Sequence, residues 1–84
     1  MTLDRAISWL LDRIKYFDDS LVDISIHEQL QTALSGVCLQ ELSELLSEEF
    51  NGVLDDYDIA RMSVYELAEL IDAERLHPSH GVLL

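Results

Sequence analysis

The first seventeen positions carry apolar residues at one repeated spacing. Leu3, Ile7, Leu10, Ile14 and Phe17 follow one another at steps of four and three, which gathers them on one face of a helix and scatters them over both faces of a strand. The period returns in Leu39, Leu42, Leu45, Leu46 and Phe50, and again in Val64, Leu67, Ala68 and Ile71. Three glycines and one proline leave little turn chemistry for a hairpin-rich β fold. The pattern predicts an all-α protein: a small bundle of three main helices, with a short helix before the last and a long first loop.

Local signals set the expected boundaries. The first helix is predicted over Leu3 to Phe17, with Thr2 as its cap and Asp4 in the first turn, where the helix dipole favours negative charge. Asp18-Asp19-Ser20 reads as a stop. The alternation of Ile24 and Ile26 with Asp23 and Ser25 is too short for a strand, and Ser25 with Glu28 has capping-box spacing, so a helical turn is expected around His27–Leu34. The second long helix is predicted from Gly36 to Phe50, capped by Ser35 and stopped by Asn51-Gly52. Val53 and Leu54 are expected to return to the core. Asp55–Arg61 is predicted as a short helix with three aspartates near its positive end. Ser63 and Glu66 form a second capping box opening the last helix, which His77-Pro78 is expected to end. The domain is read as residues 1–78, with 79–84 a loose tail.

Charge narrows the classes of partner. Seventeen acidic residues against five basic ones give a formal charge of −12, a field that repels phosphate backbones and disfavours nucleic acid or an anionic membrane as partner. Between Lys15 and Arg61 there is no lysine or arginine, and that stretch holds eleven carboxylates. Such a surface suits a basic protein. No apolar run approaches the roughly 18 residues of a membrane helix, and Asp4 and Arg5 interrupt what a signal peptide would need to be apolar. A lone cysteine, Cys38, excludes an internal disulfide, and a cytoplasmic monomer is the expectation.

Leu34-Ser35-Gly36-Val37-Cys38-Leu39-Gln40-Glu41-Leu42 resembles, without a gap, the stretch with which acyl carrier proteins open their second helix: Leu-Asp-Ser-Leu/Met, three residues, Glu-Leu. Leu45-Leu46-Ser47-Glu48-Glu49-Phe50, Asp55-Asp56-Tyr57-Asp58 and Met62-Ser63-Val64-Tyr65-Glu66-Leu67 resemble later parts of that family. The resemblance covers about Leu3 to Glu74 and is motif-level only from Leu34 onward. It implies a carrier-protein-like bundle that meets synthase- or transferase-type enzymes of acyl, polyketide or peptide assembly. It also implies a departure. The family esterifies phosphopantetheine to the serine of that motif; here the aligned residue is Gly36, preceded by Ser35 and followed by Val37. Glycine has no oxygen to modify, so no cofactor is expected. Ser35 is one residue off register, and a one-residue shift turns a helical side chain by about 100°. The literal Asp19-Ser20-Leu21 places Ser20 sixteen residues out of step with the downstream match.

The resemblance places Glu41 and Glu48 at docking positions of the family, with Glu44 and Glu49 extending an acidic face. A solvated helix face is the plain alternative for any one of them. Cys38 lies near a helix start, where the positive helix end favours a thiolate, although a packing role accounts for it more simply. His77 and His80, with Glu74, straddle Pro78 and make a poor metal set; His27 is expected only to finish a loop. Trp9 and Tyr16 share a face of the first helix and are read either as an exposed aromatic pair or as a seat for the tail. No phosphate-binding glycine loop or nucleophile–base pair is present, so no enzymatic role is expected. The favoured function is a non-catalytic, carrier-like protein that docks through its acidic second helix. The alternatives are a working carrier modified at Ser35, and an acidic immunity- or inhibitor-type bundle.

Overall fold

The computed structural model describes residues 1–17 and 24–78. Among these residues four α-helices follow in order, α1 Leu3–Phe17, α2 Leu30–Ala33, α3 Gly36–Glu49 and α4 Val64–Ala73, with a 3-10 turn at Ile59–Arg61 before α4. A radius of gyration of 11.6 Å is close to the roughly 12 Å of a compact globule of this length. The expected all-α bundle is what forms, and the stop expected at Asp18-Asp19-Ser20, like the tail from Ser79, lies outside the described residues.

α1 starts where the sequence indicates. The Arg5 N–H donates to Thr2 Oγ1 at 3.4 Å and the Ala6 N–H to the Thr2 carbonyl at 2.9 Å. Its buried line is Ala6, Leu10 and Ile14, with Leu3, Ile7 and Phe17 half-buried beside it. α1 packs chiefly on α4, and less extensively on α3. The core is completed by Leu30, Leu34, Cys38, Leu42, Leu46, Phe50, Leu54 and Ile59, together with Val64, Leu67, Ala68 and Ile71 of α4. Trp9 is part of this packing: its ring meets Phe50 edge-on with centroids 5.5 Å apart. It is therefore not one of an exposed pair with Tyr16.

The helix ends show how local chemistry sets length. α3 is capped as expected, with the Cys38 N–H donating to Ser35 Oγ at 3.2 Å. It closes with Asn51 (φ 54°) and Gly52 (φ 76°) in the left-handed region, and the Gly52 N–H reaches back to the Ser47 carbonyl at 2.8 Å, the long bond of a Schellman closure. α4 opens with both halves of its capping box: Glu66 N–H to Ser63 Oγ and Ser63 N–H to Glu66 Oε1, each 3.1 Å. It stops sooner than the proline suggests. Arg75 takes φ 54°, and the Leu76 and Arg75 N–H groups donate to the Ile71 and Asp72 carbonyls at 3.0 and 3.1 Å. A second Schellman closure thus ends the helix at Ala73, five residues before Pro78.

Three further expectations are corrected. Ser25 makes no capping box with Glu28; its Oγ accepts from the His27 N–H at 3.3 Å, closing a tight serine turn. The helix begins only at Leu30, after Gln29, whose side chain makes no cap. Asp55–Arg61 is not a helix with a carboxylate-rich first turn. Successive turns consume the chain first, with the Val53, Asp55 and Tyr57 N–H groups donating to the Phe50, Gly52 and Leu54 carbonyls. Only Ile59–Arg61 remains for a 3-10 turn, and Asp58, ahead of it, pairs with Arg61 at 3.4 Å instead of capping. Finally, Leu54 is buried but Val53 points outward.

Backbone bonds also tie the first loop to the start of α4. The Leu30 N–H donates to the Met62 carbonyl and the Tyr65 N–H to the Ile26 carbonyl, both at 2.9 Å, around an isolated antiparallel bridge between Gln29 and Ser63. His27 stacks on Tyr65 there, with ring centroids 5.1 Å apart.

Candidate functional site

α3 presents two unlike faces. Cys38, Leu42 and Leu46 form the buried one, and Glu49 continues it. Seven residues beyond Leu42, Glu49 has completed two turns and returned to the core side; it is 6% exposed. Its expected place on the acidic face is therefore corrected. Period prevails over charge at this position.

Glu41, Glu44 and Glu48 are exposed. Steps of three and four align them in one ridge along the helix. Val37, four residues before Glu41, heads the ridge and is 70% exposed. The only ion pair found among the described residues is Asp58–Arg61; the ridge makes none, and its single side-chain bond there runs from Gln40 Nε2 to Glu44 Oε1 at 3.4 Å. With no cation among the described residues to neutralise it, the ridge keeps its field directed at solvent.

The ridge borders a shallow depression of ≈ 260 Å³, lined by Glu41, Glu44, Leu45 and Glu48 of α3 and by Phe17 from the end of α1. The sequence pattern places Phe17 and Leu45 only in the apolar stripes. Both are half-buried, and their second role depends on how α1 crosses α3, which no local pattern encodes.

Gly36 is the first residue of α3, exposed at the surface. A Cβ built there meets nothing within 4 Å, and the backbone does not take the left-handed φ that would require glycine. The fold thus imposes no glycine at this position; a serine would fit. Ser35 is exposed, but its Oγ is engaged as the cap of α3. Ser20 and His80 lie outside the described residues.

The remaining candidates separate cleanly. Cys38 is 4% exposed in the core, which shields its sulfur from solvent reagents. Among the described residues no group of three histidines, cysteines or carboxylates is placed to hold a metal. Tyr16, by contrast, is 82% exposed at the end of α1 and leans edge-on against Phe17, with centroids 6.1 Å apart. Among the described residues no helix is long and apolar enough to cross a membrane. No family model matches the chain, and neither a curated protein nor a solved structure is found to be similar to it.

Proposed function

We propose that this chain is a non-catalytic, carrier-protein-like adaptor that docks a basic protein surface through the outer face of α3 and carries no phosphopantetheine arm. The observation that supports this most directly is the ridge of Glu41, Glu44 and Glu48, exposed and without an ion-pair partner among the described residues. Unneutralised carboxylates in a row attract a cationic surface over a Debye length, about 8–10 Å at ordinary salt, and raise its rate of encounter. The resemblance around Leu34–Leu42 supports an enzyme of acyl, polyketide or peptide assembly as that partner. Gly36 removes the hydroxyl that such a carrier would esterify, in a place where a serine side chain has room.

Two measurements test the proposal. The purified protein, incubated with coenzyme A and a broad-specificity phosphopantetheinyl transferase, is expected to keep its mass; a gain mapped to Ser35 would overturn the arm-less reading and establish a working carrier. Binding to enzymes of such an assembly line, followed at two salt concentrations, is expected to slow on Glu41→Lys with Glu48→Lys and to lose much of its salt dependence. Unchanged binding by that double variant would reduce α3 to a solvated face.

A further inference from the structure

Tyr16 is the most exposed large apolar side chain among the described residues, and it is linked to the acidic ridge through its neighbour Phe17. Its ring abuts Phe17, and Phe17 lines the same depression as Glu41, Glu44, Leu45 and Glu48. Phe17 thus joins the aromatic pair at the end of α1 to the acidic rim of α3 in one patch. Tyrosine is among the residues that most often carry binding energy at interfaces, and the Tyr16 ring, packed edge-on against Phe17, still leaves most of its surface in water.

We infer that this patch receives an amphipathic helix rich in arginine or lysine, with Tyr16 and Phe17 as its apolar anchor. This rests on the docking reading above and specifies the partner's chemistry. Charge complementarity identifies the occupant. The ridge spans seven residues, about 10 Å of helix, and presents three carboxylates beside an apolar floor made by Phe17 and Leu45. A cationic side chain satisfies both at once: its aliphatic stem lies over Phe17 and Leu45 while its head reaches the carboxylates. An arginine beside Tyr16 or Phe17 gains cation–π attraction as well. A uniformly basic, fully polar surface would use the rim and leave the aromatic floor wet.

The test uses the full chain and two synthetic peptides of about 18 residues, long enough for some helix. One carries arginines at i, i+3 and i+7 flanked by a leucine stripe; in the other, serines replace the leucines. The leucine peptide is expected to bind more tightly, and to shift the backbone amide resonances of Tyr16, Phe17 and Leu45. Tyr16→Ala should lose most of that advantage, about tenfold in affinity for a central aromatic anchor, with the salt dependence kept. Because Tyr16 is so exposed, the variant should share the wild-type urea midpoint. Glu41→Lys with Glu48→Lys should instead weaken both peptides and flatten the salt dependence. If Tyr16→Ala binds the leucine peptide like wild type while the charge reversal weakens it, the aromatic anchor is refuted and acidic docking survives. If the charge reversal leaves both peptides unaffected, both readings fall together.

Discussion

Two leucines one turn apart on α3 should respond differently to the same truncation. Leu42 and Leu46 are 0% and 1% exposed, yet their surroundings differ. Leu46 borders a depression of ≈ 180 Å³ that it shares with Ser43, Leu54, Asp55, Tyr57 and Ile59; Leu42 lines none of the depressions described. Cutting leucine to alanine removes three carbons, about 2–2.5 kcal/mol of transfer free energy at roughly 0.8 per methylene. A sealed void of roughly 80 Å³ adds about 2 kcal/mol at about 24 cal/mol per Å³. Leu42→Ala is expected to bear both terms, about 4 kcal/mol. Leu46→Ala opens toward a space that water already reaches and that the 51–59 turns can partly close, so its cost should stay near 2–3 kcal/mol. A domain of this size loses about 4–8 °C of Tm per kcal/mol, so the pair should be separated by several degrees. Urea unfolding followed by circular dichroism and by the fluorescence of Trp9, seated on Phe50, measures both. Equal costs for the two variants would refute the distinction, and a cost under about 1 kcal/mol for Leu42→Ala would place the core elsewhere.

Other substitutions test the helix ends and the glycine. Ser63→Ala removes the acceptor for the Glu66 N–H and should cost about 1 kcal/mol; a double-mutant cycle with Glu66→Ala should show coupling, since each side chain serves the other's backbone. Arg75→Gly relieves a side chain held at φ 54° and should raise stability by about 0.5–1 kcal/mol in a thermal melt, whereas Asn51→Gly should change little because asparagine tolerates that conformation. Gly36→Ala, in open space on a helix, should stabilise by about 0.4–1 kcal/mol, and a loss in the same melt would mean that the start of α3 is misplaced.

Features controlled by neighbours in sequence were legible before the fold was known. The stripe from Leu3 to Phe17, the Ser35 cap, the Asn51-Gly52 stop and the Ser63–Glu66 box each depend on residues within a few positions, and each forms. Where two local signals competed, the reading failed. Glu49 carries a charge that favours solvent and a register that faces the core, and register decided. Pro78 looked like the end of α4, but Arg75 supplies a left-handed closure without the glycine that usually announces one. Around Asp55 the carboxylates suit a helix start, yet the turns begun at Phe50 already engage the backbone. Of the candidate site, the ridge was visible as spacing. Its junction with Phe17, and the separation of Trp9 from Tyr16, follow from how the helices cross and had no sequence signal.

The bonds joining Ile26 and Leu30 to Tyr65 and Met62 have a kinetic consequence for α3. They close a loop of about 35 residues in which α3 and the 51–59 turns are wholly contained, at an entropic cost that depends only weakly on loop length. α3 can therefore fray at its ends without releasing the clasp, but the clasp cannot open without freeing both residues 26–30 and the start of α4. The amide protons of Leu30 and Tyr65 should exchange with solvent in step, as members of one cooperative unit. Slow, matched exchange at these two positions would persist while a partner comes and goes on the outer face of the enclosed helix.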